Sequence, residues 1–402
     1  MRGFSRRSTV EEAWAWLDAQ LQPLAAEEIP LADAAFRILA EEIKSGVDVP
    51  GFDRAMMDGF ALQAASVAGA TPYNRMPLAL VGQALPGRPF AGQLAPGQAL
   101  RIMTGAPLPA GADAVLPAEI AEVEDRQMFA QGEVPPGKHV GRRAEDVAAG
   151  AVLFSPGRRL RPQDLGVLSS IGAATVRVVR RPRVNIVVSG NEVLPPGTPP
   201  HGHLIADANG PMLSALAARD GGIVAHCEIV ADERQKLMAA LERDCDLLVV
   251  SGGSSVGLED HVPVLLAERG ELAIHGIAMR PSSPTGMGRI ERRLVFLLPG
   301  NPVSCLCAYD FFAGRAIRVL GGRSKDWPYR RITAPLARKL NSAIGRVDYA
   351  RAKLVDGQIE PLAIGGASIL SSTTRADGFL IVPGDSEGYP QGTPVEMFLY
   401  DS

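Results

Sequence analysis

Three apolar runs, each followed by a small polar loop, decide the fold of this 402-residue chain: NIVVSGNE (185–192), LLVVSGGSSVG (247–257) and VFLLPGNPVS (295–304). Each run has the length of a β-strand, and helical patterns such as NGPMLSALAARDGG (209–222) and ERQKLMAALERD (233–244) alternate with the strands. This alternation predicts right-handed crossovers and a mainly parallel sheet covered on both faces. Ligands of such sheets bind beyond the carboxyl ends of the strands, so we expect the three loops to meet at one edge.

The rest of the chain predicts smaller modules around this sheet. Residues 8–46 show helical periodicity in two stretches, one containing Trp14 and Leu17 after a cap at Ser8 or Thr9, the other running over 31–43. RPQDLGVLSSIG (161–172) predicts a short helix. Residues 50–138 and the C-terminal stretch contain short apolar runs with Gly and Pro, which is typical of strands and tight turns.

The predicted fold class is therefore multidomain α/β plus β. It combines a three-layer α/β domain with a mainly parallel sheet, a small strand-rich domain, a helical or extended connector domain and a C-terminal β-barrel-like domain. We place the connector domain at 1–46 and 139–176, the strand-rich domain at 47–138, the α/β domain at 177–323 and the C-terminal β domain at 324–402.

Composition narrows the class of protein. Hydrophobic residues make up 46% of the chain and charged residues 21%, which argues against disorder and a fibrous architecture. The formal net charge of −3 removes the global electrostatic case for binding nucleic acid, so an anionic ligand must be held by a local basic pocket. The chain has no signal-like core and no apolar run of about 20 residues. We predict a cytoplasmic protein without nucleic-acid or membrane partners.

Loops after the strands contain candidate anion-binding residues. In SGGSSVG, backbone N–H groups freed by Gly252, Gly253 and Gly257, with the hydroxyls of Ser251 and Ser255, suit a phosphate or oxyanion, although Gly/Ser turns after strands are also common connectors. In the third loop, Asn301 and Pro302 suit a helix start whose positive end faces an anion. An ordinary capped helix explains that pair equally well.

Acidic residues in several short motifs form the other half of a candidate site. Taken singly, each acid is best explained as a solvated carboxylate or a helix cap; grouped beside phosphate-binding loops, they suit Mg²⁺, which prefers carboxylate oxygens, water and substrate phosphates. The candidates are Asp58, Asp146, Glu192, Asp232 and Asp260. We predict no zinc site, because His201 and His203 lack partners at ligand spacing, and we expect the four cysteines to be buried, reduced thiols.

Six ordered motifs together resemble the molybdopterin molybdenumtransferase (MoeA-like) family, which includes the E domain of gephyrin. The resemblance extends over nearly the whole chain, which makes it far more specific than any single Gly loop. The motifs are PGFDRAMMDGFAL (50–62), RIMTGAPLPAGADAVLPAE (101–119), GRRAEDV (141–147), VVSGNEVLPPG (187–197), VVSGGSSVGLEDHV (249–262) and LPGNPVSCL (298–306).

The resemblance implies an activity and its partners. Family members insert molybdenum from molybdate into adenylylated molybdopterin and release AMP, with Mg²⁺ assisting. They resemble elongated homodimers of four-domain subunits, in which the α/β domain binds the pterin nucleotide and the MDG and TGA loops complete the site of the partner subunit. A molybdopterin adenylyltransferase and molybdoenzyme clients would be further partners.

The resemblance also assigns roles to residues of this chain. The catalytic residues would be Asp58, Thr104, Asp146, Glu192, Asp232 and Asp260, of which Glu192, Asp232 and Asp260 would bind the metal ion. The pterin nucleotide and molybdate would contact Ser251, Gly252, Gly253, Ser255, Gly257, Arg280, Ser283, Pro299, Gly300, Asn301, Pro302 and Ser304.

One motif departs from the family pattern. The lysine-rich KxxxKPGKP stands here as GIAMRPSSP (276–284), with Gly276, Arg280 and Ser283 at the three lysine positions. Only Arg280 keeps a charge, and losing two direct cationic contacts to a desolvated anion costs about 2–5 kcal/mol each. Two milder departures are Ala144 in place of a glycine and Ser254 in place of a valine.

Replacement charge for the missing lysines would come from Arg289, Arg292 or Arg293, unless this ERR segment is a solvated hairpin. The sequence favours an active molybdenum insertase. The alternative is a catalytically impaired paralogue that carries molybdopterin or the finished cofactor, and a gephyrin-like scaffold is the third hypothesis. No nucleophile elbow or strand-associated GxGxxG supports a hydrolase or a dehydrogenase.

Overall fold

The computed structural model of the protein describes residues 7–253 and 261–400. Its internal contacts divide the chain into a larger unit, made of Met1–Glu27 and Val179–Ser402, and a smaller unit, Glu28–Val178. No helix in the described residues is long and apolar enough to cross a membrane. The finer division into four domains stays a prediction.

A six-stranded sheet forms the centre of the larger unit. The first four strands are parallel, as predicted, and the last two add an antiparallel edge. The three inner parallel strands are mostly apolar because both of their faces are buried, whereas the edge strand Ile223–Val230 is largely half-buried or exposed. The strand order is Ile223–Val230, Arg183–Ser189, Leu247–Ser251, Arg293–Leu298, Gly286–Ile290 and Glu271–His275.

Helices in the predicted places flank this sheet. Asn209–Arg219, Arg234–Leu241 and His261–Arg269 follow successive strands. After the fourth parallel strand, Pro302 begins a helical run that comprises Pro302–Ala308, a π-helical turn at Tyr309–Ala313 and Gly314–Leu320. The multidomain class with a mainly parallel α/β domain is therefore confirmed.

The two helices predicted within 8–46 have different outcomes. Val10–Gln20 is a helix, and Thr9 with Glu12 forms its capping box. Its buried face, which includes Leu17, packs in the core of the larger unit. The second helix was wrong: only Leu31–Asp33 forms a 3₁₀ turn, and Phe36 then adopts a left-handed φ of 64° that an α-helix excludes.

A second sheet of the larger unit contains the C-terminal strands. Its strands run in the order Met279–Arg280, Val347–Val355, Gly378–Val382, Pro394–Leu399 and Arg330–Pro335, with Gln358–Ala363 paired to Val347–Val355. Met279 and Arg280 pair with Val347 and Asp348. The segment that replaces the lysine motif is therefore joined to the C-terminal strands. A short strand pair, Leu340–Asn341 with Gly388–Tyr389, and the helix Ser371–Thr374 complete this region.

The smaller unit is rich in strands, as predicted, and the helix expected near 161–172 forms as Pro162–Ser170. Its main sheet runs in the order Ala114–Pro117, Gly59–Leu62, Gln98–Ile102, Met76–Ala84, Gln127–Ala130 and Ala121–Glu124. Short pairs join Arg54–Ala55 to Val140–Gly141 and Ile43–Lys44 to Val152–Phe154, and Ala64–Val67 and Ala118–Ile120 are 3₁₀ turns. The paired strands Ala26–Pro30 and Thr175–Val179 span the two chain boundaries between the units.

Replacing Ala144 by glycine should stabilise the protein. Ala144 has a φ of 61°, which costs an L-residue about 1 kcal/mol relative to glycine. Its N–H donates to the carbonyl of Pro50 at 2.9 Å, a bond that glycine keeps. We expect Ala144→Gly to raise the urea midpoint of unfolding, while the neighbouring Ala148→Gly, where φ is not positive, leaves it unchanged or lowers it. Equal midpoints for both variants would contradict this reasoning.

Candidate functional site

A cavity of about 740 Å³ lies where the three strand-to-loop motifs of the larger unit end. Residues of all three loops line it, so the parallel strands bring them together as predicted. Among the predicted binding residues, the lining includes Ser251, Gly252, Gly253, Pro299, Gly300, Asn301 and Pro302. We call it the acidic cavity, because its described lining contains Glu192, Asp207 and Asp232 and no lysine, arginine or histidine.

The carboxylates of the acidic cavity are held differently. Asp232 accepts a short hydrogen bond from the hydroxyl of Ser189, whose strand lies next to that preceding Asp232. The Oδ1 atom of Asp207 accepts from the backbone N–H groups of Asn209 and Gly210, at 2.9 Å each, and so caps a helix. Asp207 escaped the sequence analysis, although an acid two residues before a helix start is a recognisable capping signal.

Asn209 ties two of the loops together and also escaped the sequence analysis. Its buried side-chain amide donates to Ser251 Oγ at 2.9 Å and to the carbonyl of Gly300 at 2.7 Å. Gly252 allows its loop to pass close to the first loop. Its φ is 96°, and a Cβ at this position would lie 2.2 Å from the carbonyl oxygen of Ser189. The Asn301 side chain makes no cap hydrogen bond and lines the cavity.

The donor set of the acidic cavity fits a hard divalent cation. Glu192 and Asp232 present carboxylates to one cavity, and Mg²⁺ is commonly held by one or two carboxylates together with water and substrate phosphates. The described residues contain no cluster of three or more His, Cys, Asp or Glu that would hold a metal ion by itself. Ser255, Gly257 and Asp260 lie outside the described residues, as does Ser254.

A second cavity, of about 730 Å³, adjoins the first. The two share Pro284, Pro299 and Asn301 in their linings. We call the second the basic cavity, because its described lining contains three arginines and no acid. The arginines are Arg7, Arg280 and Arg346, and the predicted residues Ser283 and Ser304 also line this cavity.

One buried carboxylate lies within ion-pair distance of two of these arginines. Arg280 binds both oxygens of Asp348, which is fully buried, with Nε at 3.0 Å from Oδ1. Arg346 Nε lies 3.4 Å from the same Oδ1. Ser342 donates to Oδ2 at 2.7 Å. Two cations thus share one anion, and the group keeps a net positive charge at the cavity.

Arg351 adds a buried cation near the basic cavity. The residue is 0% exposed, and its side chain donates a short hydrogen bond to the carbonyl of Gly365, which lines the cavity. Its Nε and Nη1 atoms have no hydrogen-bond partner among the described residues. Burial lowers the pKa of Arg351 because the charged form is desolvated. The desolvation cost of the charged guanidinium would be reduced by an anion bound near it.

The replacement arginines suggested by the sequence do not line either cavity in the described residues. Arg289 pairs with Glu271 at 2.8 Å, and Arg293 donates to the backbone carbonyls of Leu241 and Arg243. Arg292 is exposed in the hairpin turn between two strands. These positions agree with the solvated-hairpin explanation. The three arginines therefore do not replace the missing lysines at either cavity.

The uncharged members of the replaced lysine motif are also explained by their surroundings. Ser283 lines the basic cavity, and its buried hydroxyl has no hydrogen-bond partner in residues 7–253 and 261–400. Gly276 has a φ of 91°, a conformation that strains any L-residue. A lysine restored at 276 would therefore be strained, whereas Ser283 offers a position at the cavity itself.

In the smaller unit, Asp58 and Thr104 are in direct contact. Both the backbone N–H and the hydroxyl of Thr104 donate to Asp58 Oδ1, at 2.7 Å each. These two donors, the backbone N–H first, hold the pKa of Asp58 below its usual range. Asp146 is exposed, and its side chain forms no hydrogen bond or ion pair with another described residue.

Thr104→Val should raise the pKa of Asp58, because the hydroxyl donor is lost while the backbone donor remains. Thr104→Ser keeps both donors and should leave the pKa lowered. A titration of the Asp58 carboxyl carbon by NMR separates these outcomes. The Thr104 contacts stabilise the fold above the ordinary carboxyl pKa, and this stabilisation is lost as the pH falls through the lowered folded value. Identical titrations of all three proteins would refute the hydroxyl's contribution.

The cysteines agree with the sequence analysis in three of four cases. Cys245, Cys305 and Cys307 are buried free thiols, whereas Cys227 is free but exposed. Complete burial raises the pKa of Cys305 to about 12, and its Sγ lies 3.5 Å from Ser251 Oγ. A thiol at this pKa is a poor nucleophile, so Cys305 packs beneath the acidic cavity as an apolar group.

Comparisons with known proteins extend over most of the chain. Three family profiles match in order: MoeA N-terminal region (domain I and II) at 8–172, probable molybdopterin binding domain at 185–318, and MoeA C-terminal region (domain IV) at 333–400. The chain is 33% identical to molybdopterin molybdenumtransferase 2 of Mycobacterium tuberculosis, with 92% of this chain and 94% of that protein aligned.

Further relatives extend the agreement to structure. The molybdopterin molybdenumtransferase of Bacillus subtilis is 30% identical, over 93% of this chain and 89% of that protein. A crystal structure of a molybdopterin biosynthesis MoeA protein from Pyrococcus horikoshii superposes with a TM-score of 0.85 at 31% identity, covering 99% of this chain and 100% of that one. On these three grounds, ordered profiles, full-length relatives and shared fold, the chain belongs to the MoeA family of molybdopterin biosynthesis proteins.

Proposed function

We propose that this protein inserts molybdenum from molybdate into adenylylated molybdopterin and releases AMP. The observation that carries the proposal is the pairing of two adjoining cavities of opposite charge. The reaction brings together a pterin nucleotide, a divalent cation and an oxyanion. One cavity with carboxylates and one with arginines provide separate places for the cation and for the oxyanion.

The acidic cavity is the proposed place of the pterin nucleotide. Its carboxylates would repel a phosphate anhydride, so the nucleotide binds there together with Mg²⁺, held by Glu192 and Asp232. When bound, the metal ion neutralises phosphate charge and polarises the anhydride. The backbone N–H of Gly253 adds an uncharged donor, since this residue has no side chain to block the approach, whereas the N–H of Gly252 already donates to the carbonyl of Leu298 at 3.1 Å.

The basic cavity is the proposed place of molybdate. Arg280 and Arg346 share Asp348, so together they keep a net charge of about +1 that a small oxyanion can partly neutralise. The hydroxyls of Ser283 and Ser304 supply further polar groups in the lining. Because the two cavities share lining residues, molybdate held here is next to the pterin nucleotide rather than elsewhere on the molecule.

The dimer stays part of the proposal. In the family pattern the MDG and TGA loops serve the partner subunit's site, and the Asp58–Thr104 contact provides a preformed ionised carboxylate for that purpose. Light scattering of the full chain tests the assembly. A monomer that is fully active would exclude the shared site.

A carrier of molybdopterin or of the finished cofactor is the second candidate function. The observation in its favour is Ser283, an uncharged residue lining the basic cavity where the family pattern has a lysine. A carrier would bind the pterin nucleotide without cleaving it. Ser283→Lys would then be expected to increase AMP release.

The test is a calorimetric titration of the full-length protein with molybdopterin adenylate, with and without Mg²⁺. Molybdate is then added and released AMP is quantified by chromatography. Mg²⁺-dependent binding followed by AMP release supports the insertase. Binding without release by the wild type, together with a gain of AMP release in Ser283→Lys, replaces the insertase with the carrier; binding without release in both proteins argues against the missing lysine as the cause. No binding under any condition excludes both functions.

A further inference from the structure

We propose that Arg7 supplies the basic cavity with positive charge that the family pattern places on lysines of the replaced motif. The inference rests on the proposed function, because molybdate is the anion it concerns. The arginines of the nearby hairpin do not supply this charge, because Arg289 pairs with Glu271, Arg292 is exposed and Arg293 donates to backbone carbonyls. Arg7 lies 269 positions before Gly276 in the chain and carries no motif that would identify it.

Backbone hydrogen bonds hold Arg7 at the cavity. The N–H of Ser8 donates to the carbonyl of Gly276 at 3.0 Å, and the N–H of Ala278 donates to the carbonyl of Ser8 at 2.8 Å. These two bonds form a parallel bridge between Ser8 and Ile277. The capped helix begins immediately afterwards, so the position of Arg7 is set on its C-terminal side by both a bridge and a helix.

The bridge also connects Arg7 with the lost lysine position. Gly276 accepts from Ser8, the residue next to Arg7, and Arg7 lines the basic cavity together with Arg280 and Ser283, the other two positions where the family pattern has lysines. The left-handed φ of Gly276 disfavours any side chain there. A cation contributed by another segment avoids that strain, which gives a physical reason for the exchange.

Arg7 differs from the other two lining arginines because its positive charge is not shared with a carboxylate. Arg280 and Arg346 are both within ion-pair distance of Asp348, and that carboxylate cancels about one of their two charges. Arg7 is exposed and forms no ion pair with another described residue. An arginine without a carboxylate partner keeps its full charge for an incoming oxyanion.

The experiment measures binding of sodium molybdate alone to the full chain by isothermal titration calorimetry. Arg7→Gln removes the charge, Arg7→Lys keeps it, and Arg292→Gln removes an exposed charge that does not line either cavity. We expect Arg7→Gln to weaken molybdate binding roughly 3- to 10-fold, as for a partly solvated charge. We expect Arg7→Lys to lose less, and Arg292→Gln to bind as the wild type does.

Two further readouts separate this inference from the proposed function. The loss in Arg7→Gln should shrink at about 0.5 M sodium chloride, where exposed charges are screened, and binding of molybdopterin adenylate with Mg²⁺ should be unchanged. Wild-type affinity for molybdate in Arg7→Gln overturns the assignment of Arg7 and leaves the insertase intact. Absence of molybdate binding in the wild type overturns the inference together with the molybdate site on which it rests.

Discussion

Glu192→Gln and Asp232→Asn should each reduce Mg²⁺-dependent AMP release about 100-fold or more. The acidic cavity has no described cation of its own, so the anhydride is tolerated there only together with a metal ion. Each substitution keeps the shape of the side chain and removes one of the negative charges that hold the ion. Removing a preformed electrostatic contact at a reacting phosphate is worth this much in other enzymes.

Three measurements on these variants make the expectation specific. Mg²⁺ titration should show that the metal requirement shifts to higher concentration, while molybdate binding at the basic cavity stays at the wild-type level. Asp244→Asn is the matched control, because Asp244 is a mostly exposed carboxylate paired with Arg183 and does not line the cavity. Full AMP release by both site variants would remove these carboxylates from the reaction.

Asn209→Ala should weaken binding of the pterin nucleotide at least tenfold and lower the free energy of unfolding by about 2–4 kcal/mol. The alanine leaves the carbonyl of Gly300 without its 2.7 Å donor and removes the 2.9 Å bond to Ser251. An unsatisfied buried polar group costs about 1–3 kcal/mol. The two loops then lose their shared anchor, which is why binding suffers as well as stability.

Asn185→Ala separates the two effects. Asn185 is also a buried asparagine of the larger unit, and its amide donates to the carbonyl of Asp244 at 3.5 Å rather than to a cavity loop. We expect this control to lose stability and to keep its nucleotide affinity. Urea denaturation and calorimetry of both variants provide the comparison. Equal affinity losses would show that Asn209 acts through general stability and not by positioning the loops.

Much of the fold was predictable because local sequence patterns indicate which segments form strands and which form helices. Apolar runs such as LLVVS (247–251) must be buried on both faces, and their alternation with helical patterns leaves a parallel sheet as the simple solution. The antiparallel edge strands were missed, since GMGRI and ELAIH have neither a long apolar run nor strict alternation. The helix predicted over 31–43 failed because tertiary packing overrode a helical spacing of apolar residues.

The candidate site divides in the same way. The sequence by itself determined that the SGN, SGG and PGN loops meet, because parallel strands place their carboxyl ends at one edge. Only the tertiary structure decided which charges surround them. Arg7, Arg346 and Asp207 approach through a backbone bridge, strand pairing with the C-terminal sheet and a helix cap. Electrostatic interactions depend on distances in space, and residues far apart in the chain acquire those distances only when the elements that carry them pack together.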